Sequence, residues 1–178
     1  ISITLISNVI FALSQWMIIS GLNYFGNAAA VGQYAFSLAL AGVFLTIGQL
    51  GLRQFLLSSK ASDEEIQVIF HIRVVTTAIA FLLLVFYALL FVGDEYLYIV
   101  AILGAAKVVE NMSDICHGYF QLNYKITQIA CSRLIRAFIS PLLFLTVYYI
   151  SQNIFFACAT LFFSLSFVYF LIDRKALS

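Results

Sequence analysis

The fold class that the sequence predicts is all-α: a polytopic membrane protein, a bundle of six transmembrane helices with both termini cytoplasmic. Three observations predict it. Of the 178 residues, 63% are hydrophobic and 10% charged, and the mean hydropathy is +1.05. A soluble domain carries roughly 25% charged residues, so this chain has too few polar side chains to cover a water-facing surface. Six apolar stretches reach the ~20 residues that a helix needs to cross a hydrocarbon core of ~30 Å. Finally, Lys and Arg sort between alternate connections, which sets the orientation.

The spans are predicted at 3–22, 29–57, 70–92, 96–121, 126–150 and 154–172. The first apolar run comes with no basic segment and no small-residue cleavage site before it, so it reads as a span and not as a signal peptide. The chain opens on Ile1 and ends just past an apolar run, at Asp173 to Ser178, and reads as a fragment. The second span is long and uninterrupted. Before the third lies the only sizeable polar connection, 58–67, in which Ser62 and Glu65 have the spacing of a capping box. The fourth and fifth form a hairpin about Asn123 and Tyr124. Pro141 in the fifth removes one backbone hydrogen bond and predicts a kink. Continuous runs of Ile, Leu, Phe and Val do not match the ~10-residue alternating strands of a membrane barrel.

Arg53, Lys60, Arg73 and Lys125 flank the connections after the second and fourth spans, and Arg174 and Lys175 follow the sixth. The connections at 23–28, 93–95 and 151–153 have no basic residue, which puts them outside. Tyr24, Tyr96, Tyr98, Tyr148 and Tyr149 then fall at the outer interface and Tyr119 and Tyr124 at the inner one. A net charge of +1 excludes a broad basic face for nucleic acid. Cys116, Cys131 and Cys158 lie in apolar segments without paired spacing, and read as buried thiols that form neither a disulfide framework nor a metal site.

Charged residues inside the spans carry the functional signal. In the fourth span Lys107, Glu110, Asp114, His117 and Gln121 follow one another by three, four, three and four residues. At ~100° per residue they occupy an arc of roughly 80°. A charge at the bilayer centre costs on the order of 2.5 to 3.5 kcal/mol even on a mild scale, so this face must meet protein or water. The fifth span adds Arg133, Arg136 and Ser140. An antiparallel hairpin sets Glu110 level with Arg136 and Asp114 level with Arg133, which predicts two ion pairs. Thr4, Asn8 and Gln15 form a milder stripe in the first span, and Gln49 and Arg53 end the second. Lys107, Arg133 and Arg136 exceed Glu110 and Asp114 by one positive charge, a surplus that points to an anionic ligand or a hydrated cavity. His117 reads as a hydrogen-bonded filler more readily than as a proton relay. No phosphate loop, nucleophile elbow or zinc-protease motif is present, so neither an enzyme nor a cofactor is expected.

Several segments in order carry a family likeness: Asn8 with Gln15-Trp16, Val31-Gly32-Gln33-Tyr34-Ala35-Phe36, Leu50-Gly51-Leu52-Arg53, and then Arg73. The run Lys107 to Ile115, continued by Gly118-Tyr119-Phe120-Gln121, and the run Ile129 to Arg136 are the most specific. In these the chain resembles the bacterial polysaccharide-biosynthesis flippases, of the O-antigen flippase type, in the multidrug/oligosaccharidyl-lipid/polysaccharide exporter superfamily. The resemblance implies two six-helix bundles around a central cavity, with residues 1–178 forming the N-terminal bundle as a single domain. It implies a multi-pass protein of the bacterial cytoplasmic (inner) membrane that flips undecaprenyl-pyrophosphate-linked oligosaccharide by alternating access, in O-antigen or lipopolysaccharide synthesis. The implied partners are that lipid-linked sugar and a second six-helix bundle, from the same parent chain or another copy. The sequence departs from the family in lacking the second bundle, and in having Gly42-Val43 where a proline often interrupts the second helix.

With that likeness, Lys107 and Arg136 are expected as mid-membrane cations for the pyrophosphate. Arg53 and Arg133 are expected nearer the cytoplasmic mouth, and Asn8 and Gln15 on the wall. Two other readings stand beside this one. In a cation-coupled drug antiporter of the same superfamily Glu110 and Asp114 would carry protons or sodium. In a non-transporting structural subunit the charges would only fasten helices.

Overall fold

Backbone N–H and C=O groups in an apolar medium must be satisfied within their own segment, and this chain meets the demand with helix. The computed structural model describes residues 2–58 and 63–176, and among these holds seven α-helices, one short 3-10 turn and no strand. In order they are α1 (Ser2–Phe25), α2 (Ala28–Ile47), α3 (Leu52–Ser58), α4 (Asp63–Phe91), α5 (Asp94–Leu122), α6 (Ile126–Ser151), α7 (Ile154–Leu171) and the turn Asp173–Ala176. Helices α1, α2, α4, α6 and α7 are long and apolar enough to cross a membrane. The chain is therefore a multi-pass membrane protein. At 29 residues α5 matches α4 in length, but it carries the charged face.

Local chemistry sets the ends. The side chain of Asn27 accepts from the N–H of Ala30 at 2.8 Å to start α2, and that of Asn153 accepts from Phe155 at 2.9 Å to start α7. Gln152, left-handed at φ 52°, closes α6.

The expected second span, 29–57, is two helices. At the break the N–H of Gln49 bonds to the Thr46 carbonyl at 3.0 Å and not one residue further back, and the chain turns through Leu50 at φ 48° and Gly51 at φ 62°. Glycine takes the left-handed conformation without steric cost, and that licenses the turn at 51. The apolar character of Leu50 and Leu52 hid the break. Helix α4 begins at Asp63, ahead of the expected residue 70, so residues 63–67 of the polar connection are helical. Ser62, and with it the capping box, lies outside the described residues, as does the side chain of Thr4. Pro141 sits within α6, which runs unbroken from Ile126 to Ser151.

Two surface expectations are corrected. Cys131 is exposed, whereas Cys116 and Cys158 are buried, because Cys131 lies on the outward face of α6. Tyr148 is also buried, packed with Phe144, Ile18 and Leu22, so it is a core residue; Tyr24, Tyr98, Tyr124 and Tyr149 are exposed.

Helix α5 is the axis of the molecule and packs against α2, α3, α4, α6, α7 and the final turn. It contributes to all three apolar clusters. One, with Ile99 and Leu103, joins α1, α2, α6 and α7. A second, with Val100, joins α2 and α4 through Leu45 and Leu84. The third, with Ile115, Cys116 and Phe120, joins α3, α4 and α6 through Leu56, Ile69 and Ile129. The polar stretch of α5 lies between the first cluster and the third, a layer of charge between two apolar ends.

Candidate functional site

The charged face of α5 is held by helices other than the one expected. Lys107 Nζ donates to Glu110 Oε2 at 2.6 Å within α5 itself. One oxygen of Asp114 accepts from Arg53 Nη1 of α3 at 2.7 Å, and the other from Arg73 Nη2 of α4 at 3.3 Å. Arg136 of α6 pairs with Asp173 of the final turn, through Nη2 and Oδ2, and the same nitrogen donates to Ser113 Oγ at 2.5 Å. Arg133 Nη1 donates to Asn8 Oδ1 of α1.

The expected pairs Glu110 with Arg136 and Asp114 with Arg133 therefore do not form. The reason is packing. The hairpin neighbours α5 and α6 meet over a small area, while α6 lies chiefly against α1 and α7, and α7 with the final turn comes between. Matching depth along a hairpin assumes two helices in contact throughout.

Arg73, expected only as a basic residue flanking a connection and in the family likeness, is the most buried cation of the site, 1% exposed. It donates to the Gln49 carbonyl at 2.6 Å and to the Asn111 carbonyl at 3.3 Å in addition to Asp114. Asn111 donates to the Leu45 carbonyl at 3.0 Å, the carbonyl that the break leaves without its helical partner, and accepts from Gln49 at 2.9 Å. Side chains of α4 and α5 thus hold the α2–α3 break. Gly118 lets α3 lie close: a Cβ there would stand 3.2 Å from Arg53 Cγ and from Leu56 Cδ2.

Asp173 was also not foreseen, since it follows the last apolar run and reads as tail. It is fully buried, with His117 Nε2 at 3.2 Å, which as the N–H donor to a carboxylate fixes that tautomer. Burial by itself would push the Asp173 carboxyl up, but the hydrogen bond from His117 and the charge of Arg136 outweigh it and hold the carboxyl below its ordinary value.

Asn8, Glu110, Asp114, His117, Arg133 and Arg136, with Phe11, line one cavity of about 280 Å³. Six of the nine residues expected at the site are thereby together. Lys107 lies deeper: with Glu110 it borders a second cavity of about 200 Å³ beside Gln49 and Asn111, and with Gln15, Tyr34 and Ser140 a small one. Arg53 reaches the site through Asp114 and through Gln121, at 3.2 Å. Lys107, Arg53, Arg73, Arg133 and Arg136 face three carboxylates, Glu110, Asp114 and Asp173, each already taken by a cation. Of these five cations, the one without a described carboxylate within 4 Å is Arg133, not Lys107 or Arg136. A polar cavity with surplus positive charge is suited to anions.

An all-helical membrane bundle with a charged layer at its axis is the class that fold and site define. Over 176 residues, 97% of its length, the chain is 27% identical to the capsular polysaccharide biosynthesis protein CapF of Staphylococcus aureus. It spans 43% of that protein. No family model and no solved structure matches.

Proposed function

We propose that this chain is one six-span half of a membrane transporter for polysaccharide biosynthesis, with α5 as its sixth crossing helix beside the five apolar ones. In this reading both termini are cytoplasmic. The cargo is an undecaprenyl-pyrophosphate-linked oligosaccharide, flipped across the cytoplasmic membrane by alternating access against a second bundle. The likeness to a capsular polysaccharide biosynthesis protein supports the pathway class.

The observation that carries the anionic cargo is Arg133: a guanidinium on a 280 Å³ cavity, held by an amide oxygen while every cavity carboxylate is engaged elsewhere. A planar fork without a counter-charge fits phosphate oxygens in pairs. The lipid tail would stay in the bilayer beside the cavity. The same pairing speaks against a cation antiporter, since Glu110, Asp114 and Asp173 each already hold a basic side chain that a coupling ion would have to displace.

The test is flipping in liposomes that hold this bundle together with its second bundle and a fluorescent undecaprenyl-pyrophosphate-linked sugar, read as protection from a membrane-impermeant quencher. Hydrogen bonds to a charged group are worth about 1.5 to 3 kcal/mol, so Arg133→Gln should slow flipping about tenfold or more at an unchanged protein level. Wild-type rates for both Arg133→Gln and Lys107→Gln would leave the charged layer a helix-fastening role and refute transport of a phosphorylated cargo through it.

A further inference from the structure

We propose that Asp173 is a built-in competitor for the anion site, and that a pyrophosphate entering the cavity draws Arg136 away from it and releases the final turn. The proposal rests on the reading of the cavity as a phosphate site.

Three observations meet here. The carboxylate of Asp173, fully buried, joins Arg136 and His117, and these two side chains also line the 280 Å³ cavity next to Arg133. The same pair therefore has the turn on one side and the cavity on the other. Next, Arg136 is used on one prong. Its bonds to Asp173 and to Ser113 both leave Nη2, while Nε is buried with no partner among the described residues. Nε and Nη2 form the side-on fork of a guanidinium, and a phosphate group can fill both prongs where Asp173 fills one. Third, the turn that carries Asp173 is short, four residues packed on α5, α6 and α7, so its seat depends on that carboxylate.

The exchange replaces one anion by a stronger one: the Asp173 carboxylate leaves Arg136 as a more highly charged pyrophosphate arrives between Arg133 and Arg136, and the second positive charge meets the added negative charge. A ligand shifts such an equilibrium only by its differential affinity, and here the difference is the second prong plus Arg133. Occupancy of the cavity becomes a change at the end of α7, outside the cavity itself.

The experiment uses the protein in detergent micelles with Cys116, Cys131 and Cys158 replaced and Arg174→Cys, at an exposed position next to Asp173, carrying a nitroxide. Inorganic pyrophosphate and farnesyl pyrophosphate are the two probes. Expected is a rise in nitroxide mobility with probe. In Asp173→Asn the label should be mobile without probe, and the probe should bind about tenfold tighter, as for a binding-competent state otherwise populated at roughly 10%. Response to farnesyl pyrophosphate alone assigns the competition to a lipid-linked headgroup, and equal response to both assigns it to the free anion; either supports the competitor.

Binding that Arg133→Gln abolishes but Asp173→Asn leaves unchanged, with a silent label, overturns the competitor and keeps the phosphate site. Failure of both probes on both proteins overturns the two together. Should Asp173→Asn not fold, the label in the protein with Asp173 intact decides alone.

Discussion

Asp114→Asn should destabilise the protein more than deletion of the buried arginine it binds. Asp114 faces two guanidinium groups, Arg53 at 2.7 Å, with its side chain 25% exposed, and Arg73 at 3.3 Å, 1% exposed. Removing the carboxylate leaves Arg53 to water, a loss of no more than about 1 kcal/mol for a pair that solvent reaches. Arg73 has no such refuge. A buried ion stripped of its partner costs about 3 to 5 kcal/mol, and the partial exposure of Asp114 argues for the lower end, about 3 kcal/mol.

Arg73→Met breaks the same contact from the other side, yet it removes the buried charge altogether. Asp114 keeps Arg53, and the Gln49 carbonyl keeps the N–H of Leu52 at 3.1 Å, so the cost should be about 1 kcal/mol. The double variant should lie near Arg73→Met, since the orphaned cation is gone, and so fall short of additivity by about 2 to 3 kcal/mol. The assay is equilibrium unfolding in mixed micelles by SDS titration, followed by far-UV circular dichroism. If Arg73→Met proves as costly as Asp114→Asn, or the pair adds to within about 0.5 kcal/mol, the assignment of Arg73 as a cation that needs Asp114 is wrong.

Two further outcomes follow from burial and charge. A maleimide applied to the folded protein in micelles should modify Cys131 and spare Cys116 and Cys158 until SDS is added; one equivalent before unfolding and three after would agree, and equal rates at all three would not. Because the folded Asp173 carboxyl is held below its unfolded value, its stabilisation is complete above the ordinary carboxylate range of about 4 and is lost as pH falls through and below it. Acid unfolding midpoints should therefore shift less steeply with pH in Asp173→Asn than in the unaltered protein, and parallel curves would remove Asp173 from the acid limb.

The helix ends at Asn27, Gly93, Asn123 and Asn153 were legible because hydrophobicity and connection chemistry act locally, whereas the α2–α3 break and the start of α4 were not. The membership of the site was legible for a similar reason, since charges at three- and four-residue spacing on α5 must share a face and lipid forbids that face. Partner identity was not. It depends on which helices lie against α5, and sequence adjacency named α6 where the fold puts α2, α4 and α7. Asp173 escaped notice because a carboxylate just past an apolar run has the pattern of a solvated tail, and nothing local shows that the chain folds back. Arg73 sits between two and three turns inside α4, between Ile72 and Val74, and its sequence position suggested a cation at the mouth of a span and not a buried partner of Asp114.

The break between α2 and α3 is closed by protein at every polar atom described for it: Asn111 on the Leu45 carbonyl, Arg73 on that of Gln49, and Gln49 in turn on Asn111. In lipid an unmatched peptide group costs several kcal/mol, and here the Leu45 and Gln49 carbonyls at the break are matched by side chains. The bend is therefore a welded corner and not a hinge. Arg53, on the short arm beyond it, is tied to α5 at two points, Asp114 and Gln121. On the other side of the cavity α1 and α6 pack more extensively than any other two helices, and the bond from Arg133 to Asn8 joins the same pair.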